Sequence, residues 1–155
     1  MVKLNKEATL KAISIVKAAR ELLAKKGGWT AGSEARDSNG YPVTPGSSRA
    51  VCYCSVGAVR RATRDVLGRM APLEHVALEP VEAWDSPRSP AKIAGSALAL
   101  EATQAGKRAG ESGWYFSSPV PVIRYNDNSN DKRRVISMFD RAIKNLEGKL
   151  QNDVA

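Results

Sequence analysis

The sequence has few of the residues that build metal sites and disulfide frameworks. It contains two cysteines, Cys52 and Cys54, and a single histidine, His75. A structural zinc site usually takes four Cys or His ligands, so we expect no metal, and no motif points to a cofactor. One residue separates the two cysteines, which is too close for an ordinary disulfide and is typical of a protein in a reducing cytoplasm.

The sequence also lacks a long apolar run. None approaches the roughly 20 residues that span a membrane, and the lysine-rich segment 1–11 is not followed by the apolar stretch of a secretory signal. We therefore expect no membrane association and a cytoplasmic location. Aromatic residues make up 6% and hydrophobic residues 43% of the 155 residues, which predicts one domain with an aliphatic, alanine-rich core.

Sequence motifs of known chemistry are absent as well. There is no Gly-rich phosphate loop, no G-x-S-x-G elbow and no His-x-x-x-His pair. These absences favour a protein that is not an enzyme, although a site of paired carboxylates would leave no such signature.

Positive charge, in contrast, is present in excess. Lysine and arginine number 24 against 16 acidic residues, a net charge of +8. Residues 1–26 carry seven basic and two acidic side chains, whereas 73–90 carries one basic and four acidic. A basic surface fits an anionic partner such as nucleic acid, a nucleotide or an acidic protein, and the alternative is that the charge serves solubility alone.

Helical periodicity runs through most of the chain. Apolar residues recur at three- and four-residue intervals in four segments, about 6–26, 49–67, 90–108 and the stretch that contains 135–146. A serine cap at 47–48 is predicted to begin the second helix, and a further short helix is predicted near 73–78. We predict a mainly α fold, a compact bundle of about four helices with a small two- or three-stranded β element, in a single domain spanning 1–155.

The β element is predicted in two places. Asn39-Gly40 is a strong hairpin signal, and 41–43 would be a return arm at a sheet edge because it contains Pro42. The segment 119–125 is predicted as a short extended strand. The polar run 126–130 that follows is predicted as a turn that caps the last helix.

The first candidate site is an arginine face on the second predicted helix, formed by Arg60, Arg61 and Arg64. Guanidinium groups match phosphate oxygens in pairs, so this face could grip a nucleotide or a nucleic-acid backbone. The alternative is a solvated helix face with Asp65 as counter-charge. The basic run 132–134 opens the last helix, where the helix dipole disfavours cations, and it too indicates an external anion.

The second candidate is the pair Cys52 and Cys54. A thiol in the first turn of a helix has a lowered pKa and raised reactivity, and His75 would then be its base. The alternative is that both thiols are buried and act as small hydrophobes, as free cysteine commonly does.

Aromatic residues beside loops are further candidates for ligand binding. Trp29 and Tyr125, and also the pair 114–115, could stack on bases, although an aromatic beside a turn more often covers the end of a core. Arg124, next to Tyr125, is a further candidate for an anionic ligand.

Two polar pairs adjoin the predicted strands. Arg36-Asp37 and Asn126-Asp127 could each orient a ligand, or each could serve a turn or a helix cap. For Asn126-Asp127 we favour capping.

Short motifs at both ends of the chain, outside 69–118, form a recognisable pattern. They are Ala-Arg-Glu-Leu-Leu (19–23), Gly-Trp (28–29), Ala-Arg-Asp (35–37), Ala-Val-Cys-Tyr-Cys-Ser-Val-Gly-Ala-Val (50–59), Tyr-Asn-Asp (125–127) and Phe-Asp-Arg-Ala-Ile (139–143). The pattern resembles a family of short, uncharacterised proteins of bacteriophages and bacteria, a domain of unknown function. Its most specific part is Cys-x-Cys-x-x-Gly-Ala, and Tyr125 stands where the pattern has tryptophan.

This resemblance implies a phage or prophage accessory gene product and carries no assigned activity. It also implies a common centre, either a packing core or a pocket, formed by Trp29, Arg36, Asp37, Cys52, Cys54, Asn126 and Asp127.

Three functions follow from these observations. The leading hypothesis is a binding protein that holds an anionic partner, namely a nucleotide signal, nucleic acid or an acidic host protein, on a basic surface or pocket. The first alternative is a minor virion or assembly protein, which could form a homo-oligomer and would be located in the particle. The second alternative is a small cysteine-dependent enzyme.

Overall fold

A computed structural model describes residues 6–68, 90–108 and 120–154, and it confirms the predicted fold class. The described part is mostly helical, with one two-stranded antiparallel sheet. Its elements are α1 (Lys6–Ala24), β1 (Ala35–Arg36), β2 (Cys52–Tyr53), α2 (Ser55–Leu67), α3 (Pro90–Arg108), α4 (Val120–Asn128) and α5 (Lys132–Val154). The predicted helix near 73–78, His75 and the aromatic pair 114–115 lie outside the described residues.

Helix α1 is the central element and packs against α2, α3 and α5. Its buried stripe follows the predicted periodicity, and Ile15, Val16, Ala19 and Leu23 have no exposed surface. Because α1 has neighbours on several sides, its small residues allow close approach of the surrounding helices. The predictions of α1, α3 and α5 are confirmed.

The small sheet lies beside the start of α2. Strands β1 and β2 pair antiparallel, and Trp29 forms a parallel bridge with Tyr53 on the other side of β2. The predicted turn at Asn39-Gly40 is present, because the amide of Asp37 donates to the carbonyl of Tyr41 at 2.9 Å. The return arm makes only a single bridge, between Arg36 and Pro42, so the main partner of β1 is β2.

The predicted start of the second helix is wrong. We expected α2 to begin near 49 after a serine cap, but it begins at Ser55 with Cys54 as its N-cap. The segment before it is extended, because the amides of Val51 and Cys54 donate to the carbonyls of Arg36 and Glu34. Pairing with β1 therefore takes these residues out of the helix.

The predictions of a strand at 119–125 and a polar turn at 126–130 are also wrong for most of their described residues. Helix α4 occupies 120–128, and of the predicted turn only residues 129–130 lie outside it. Pro121 is compatible with this assignment because it sits in the first turn, where a helix needs no amide donor. The cap of α5 is Asp131, whose Oδ1 accepts from the amide of Arg133 at 2.9 Å.

No helix within the described ranges is both long and apolar enough to cross a membrane.

Candidate functional site

Asn126 lies at the centre of a buried polar network that joins three parts of the chain. Its side chain is fully buried, and its Oδ1 accepts from Trp29 Nε1 at 2.8 Å. The same oxygen accepts from the amide and the hydroxyl of Ser55, at 2.9 and 2.7 Å. Its Nδ2 donates to the carbonyl of Thr30 at 3.0 Å. The network therefore ties α4 to the start of α2 and to the segment that follows α1.

Asp127 extends this connection to the surface. Its Oδ1 accepts from the amide of Gly32 at 3.0 Å and from Asn126 Nδ2 at 3.1 Å. Gly32 has a φ of +80°, a conformation that favours glycine. The pair Asn126-Asp127 thus holds the loop 29–32. It does not cap α5, as the sequence predicted, whereas Asn126 Oδ1 accepts from the amide of Ser55, the first residue of α2.

Arg36 belongs to the same assembly through Thr30. Its guanidinium donates to Thr30 Oγ1 at 3.2 Å and to the carbonyls of Ala31 and Gly40 at 3.3 and 3.1 Å. These bonds fix the loop 29–32 against the turn that follows β1. The donors of Arg36 are directed at the chain itself.

Asp37 organises the turn between β1 and the return arm. Its Oδ1 accepts from the amides of Asn39 and Tyr41, each at 2.9 Å, and its Oδ2 lies 3.4 Å from Arg49. The backbone amide of Tyr41 contributes most to lowering the pKa of the Asp37 carboxyl below its usual value. A carboxylate bound in this way stabilises the turn.

The two cysteines have different environments. Cys54 is buried and caps α2, with its sulfur accepting from the amide of Gly57 at 3.4 Å. Burial raises the pKa of its thiol to about 11, so very little thiolate forms at neutral pH. Cys52 lies in β2 and is half-buried, and its thiol faces the carbonyl of Arg36 at 3.9 Å.

The predicted arginine face is anchored to the chain around it. Arg60 pairs with Glu34 at 2.6 Å and is largely buried, with 13% of its side chain exposed. Arg61 Nη1 donates to the carbonyl of Pro45 at 3.2 Å, and Arg64 Nη1 donates to that of Gly46 at 2.6 Å. Arg61 and Arg64 thus hold the loop that precedes β2 against α2, whereas Arg60 holds the residue before β1. Whether they also bind an external anion stays a prediction.

A second group of cations lies where the end of α1 meets the start of α5, and we call it the basic end. It consists of Lys25, Lys26, Lys132, Arg133 and Arg134. The ammonium of Lys132 donates to the carbonyls of Ala24 and Lys25, at 3.1 and 2.6 Å, which joins the two helix termini.

The side chains of the basic end are open to solvent. Lys25, Lys26 and Arg134 are exposed, and 91% of the Arg133 side chain is exposed. Among the described residues, the one carboxylate paired with this group is Asp131, which contacts Arg133 at 3.0 Å.

Arg124 and Tyr125 occupy opposite environments on α4. Arg124 is exposed, whereas Tyr125 is half-buried and packs against the core. The hydroxyl of Tyr125 donates to the carbonyl of Arg134 at 3.4 Å, so α4 lies against the first turn of α5. Tyr125 and Trp29 therefore both cover the end of the core, the alternative that the sequence had left open.

The structure brings together part of the centre implied by the family resemblance. Trp29, Asn126 and Asp127 share one network, and Arg36 joins it through Thr30. Asp37, Cys52 and Cys54 lie close by in sequence but make separate contacts, in the turn and in β2 and its end.

Sequence reasoning missed several residues of this centre. Ser55 and Thr30 supply partners to Asn126, and the carbonyl of Glu34 accepts from Cys54. A Cβ built on Gly57 would stand 1.9 Å from that same carbonyl oxygen. The Cys-x-Cys-x-x-Gly-Ala segment, which contains Cys54 and Gly57, is the sequence signal for this contact, and it indicates packing as much as chemistry.

Within the described part of the chain, no group of three or more His, Cys, Asp or Glu residues is arranged to hold a metal ion.

Comparison with known proteins gives a family but no activity. A family model described as a family of unknown function, DUF6197, matches residues 7–145. No curated protein and no solved structure is significantly similar to the chain. Because the family model covers most of the sequence, the chain belongs to the DUF6197 family, whose function is unknown.

Proposed function

We propose that this protein is a phage-type accessory protein that works by binding rather than catalysis, and that it holds an anionic partner on the basic end. The observation that carries the proposal is the exposure of Lys25, Lys26 and Arg134, none of which pairs with a carboxylate in the described part of the chain. Charged side chains gathered without counter-charges create a positive potential that attracts anions.

The rest of the helical surface supports this location by contrast. Lys17 pairs with Glu147 at 3.3 Å, and Arg20 pairs with Asp140 at 2.5 Å, both between α1 and α5. These two cations on the body of the bundle are therefore neutralised by carboxylates of the neighbouring helix. Positive charge without a paired carboxylate, which contributes to the net charge of +8, is therefore greater at the basic end than at these two helix contacts.

The arginine face of α2 is the alternative location for the same anion. There an anion would compete with bonds that Arg61 and Arg64 already make to the carbonyls of Pro45 and Gly46. The basic end requires less displacement, because Lys25, Lys26 and Arg134 donate no side-chain hydrogen bonds among the described residues.

The family resemblance supports a phage or prophage setting, and we propose the cytoplasm of the host cell as the place of action. The thiol of Cys54 gives little support to cysteine chemistry, since burial raises its pKa to about 11.

Retention on immobilised heparin, a sulfated polyanion, tests the proposal. The variant Lys25→Ala/Lys26→Ala should elute at a lower salt concentration than the wild type. The matched control is Lys144→Ala/Lys149→Ala, which removes two exposed lysines from the far part of α5 and lowers the net charge by the same amount as the first variant. Equal elution of the two variants would contradict the basic end, and a selective effect of Arg64→Ala would favour the arginine face.

A further inference from the structure

We infer that the anionic partner is a nucleic-acid duplex, bound through its phosphate backbone without reading of the bases. This inference rests on the proposed function and specifies the partner of the same basic end. It is argued from the residue types, their exposure, the dimensions of the surface and the state of the nearby aromatic rings.

The residue types at the basic end separate a nucleic acid from a protein partner. Three of the five side chains are lysines, Lys25, Lys26 and Lys132. Protein interfaces are depleted in lysine and are centred on buried aromatic or apolar anchors. Phosphate groups, in contrast, accept both lysine and arginine, and such contacts supply most of the sequence-independent affinity for nucleic acids.

The exposure of these side chains favours a polymer over a mononucleotide as the partner. Small-molecule sites are concave and bury most of their ligand, with a few polar groups fixed in the lining. At the basic end, 91% of the Arg133 side chain is exposed, and Lys25 and Lys26 are exposed as well. Such a surface can contact a large polyanion from outside, whereas it cannot enclose a small one.

The dimensions of the surface match a duplex. The axes of packed helices are about 8–10 Å apart, which sets the distance between the end of α1 and the start of α5. A duplex carries one charge per about 1.7 Å of its axis, so roughly five or six phosphates fall within that distance. Within the described part of the chain, three cations of the basic end, Lys25, Lys26 and Arg134, have no carboxylate partner, so about three of these phosphates can be contacted.

The state of the neighbouring aromatic rings separates a duplex from a single strand. Proteins that bind single strands stack the bases on accessible aromatic side chains. Near the basic end, Trp29 donates its indole N–H to Asn126, and Trp29 and Tyr125 both pack against the core. The described residues of this surface therefore offer no accessible aromatic ring for stacking on bases, and their cations can contact the phosphate backbone of a nucleic acid.

Fluorescence anisotropy with a labelled 20-base-pair DNA duplex, measured over a salt series, tests the inference. The affinity should fall linearly with salt on logarithmic axes, with a slope of about −0.9 for each phosphate contact, or roughly −3 for contacts by Lys25, Lys26 and Arg134. The variant Lys25→Ala/Lys26→Ala loses two phosphate contacts, so the magnitude of its slope should be smaller by about 1.8. The control Lys144→Ala/Lys149→Ala should leave it unchanged, since Lys144 lies roughly 18 Å along α5 from Lys132.

Further measurements test the inference separately from the proposed function, and also test whether bases are read. Retention on heparin without duplex binding would overturn the inference and leave the proposed function standing, whereas loss of both would overturn both. Tighter binding to a single strand than to the duplex, or to polyglutamate than to the duplex, would overturn the inference in favour of those partners. Duplexes of different base composition should bind within about twofold of one another, and a larger difference would show that bases are read.

Discussion

The contact between Gly57 and Glu34 allows a sharp test of why the Cys-x-Cys-x-x-Gly-Ala segment has its sequence. Gly57 lies in the first turn of α2, and a Cβ at this position would stand 1.9 Å from the carbonyl oxygen and 2.7 Å from the carbonyl carbon of Glu34. Both atoms are backbone, so no side chain can rotate out of the way. The same carbonyl accepts from the amide of Cys54 at 3.0 Å. Alanine at position 57 must therefore push β1 away from α2.

The expected cost can be worked out from these contacts. Overpacking a tight site costs about 1–3 kcal/mol, and weakening the Cys54–Glu34 hydrogen bond costs about 1 kcal/mol more. Alanine recovers about 0.5–1 kcal/mol of helix propensity. We expect Gly57→Ala to lower the free energy of unfolding by about 2 kcal/mol. Gly148→Ala is the control, because its Cβ meets nothing within 4 Å, and it should raise that free energy by about 0.5–1 kcal/mol.

Urea denaturation followed by circular dichroism measures both variants. With a typical slope of about 1–3 kcal/mol per molar urea, the two midpoints should differ by roughly 1 M or more. A Gly57→Ala protein that is as stable as the wild type would refute the close approach. Heparin retention of folded Gly57→Ala should match that of the wild type, because the basic end lies on other elements.

Two further predictions concern the buried centre. Asn126→Ala leaves the indole N–H of Trp29 and the amide of Ser55 without their acceptor, and it should lower the free energy of unfolding by about 4 kcal/mol, at roughly 1–3 kcal/mol for each unsatisfied group. The control Asn128→Ala, at an exposed position on α4, should be nearly neutral in the same urea titration. Equal effects of the two variants would contradict the network. With iodoacetamide at pH 7.5 and peptide mass spectrometry, Cys54 should react only as fast as the protein opens, because its pKa of about 11 and its burial both suppress attack. Fast alkylation of Cys54 in the folded protein would contradict this reasoning.

The helices that the sequence predicted correctly are those whose periodicity is local and long. In α1 and α5 the apolar spacing repeats over several turns, and no other part of the chain has to be known to read it. The beginning of α2 is different. Residues 49–54 have acceptable helical character, but the amides of Val51 and Cys54 donate to the carbonyls of Arg36 and Glu34, which lie outside this segment in the sequence. The competing partner could not be seen from the segment itself.

The prediction for the segment that forms helix α4 was wrong for a related reason. Its sequence combines prolines with β-branched residues, which favour strands, and Asn126-Asp127 resembles a turn. In the folded protein, tertiary hydrogen bonds to Ser55, Thr30 and Gly32 outweigh those local preferences. Most members of the centre could be named from sequence. The roles of Trp29, Asn126 and Asp127 depended on partners more than 70 residues away, as the Ser55–Asn126 bond at a separation of 71 illustrates.

The two basic sites, the arginine face and the basic end, also differ from the helices in how much the sequence alone could predict. The sequence identifies Arg60, Arg61 and Arg64 as a charged face, but only the fold gives their partners, Glu34 before β1 for Arg60 and the loop before β2 for the other two. The run 132–134 was correctly singled out as unusual for a helix start. Its position beside Lys25 and Lys26 follows from the packing of α1 on α5, which the periodicity of either helix alone does not give.

The Asn126 network also has a consequence for the order in which the molecule folds. Its bonds to Trp29, Thr30 and Ser55 span sequence separations of 97, 96 and 71 residues. Contacts of such separation form late, since a long loop must close before they contribute. During synthesis, the segment up to residue 68 emerges with the Trp29 and Ser55 donors already in place and their acceptor still to be made. The start of α2 is therefore completed by a residue from the last third of the chain, and the native state is reached only after that part has left the ribosome.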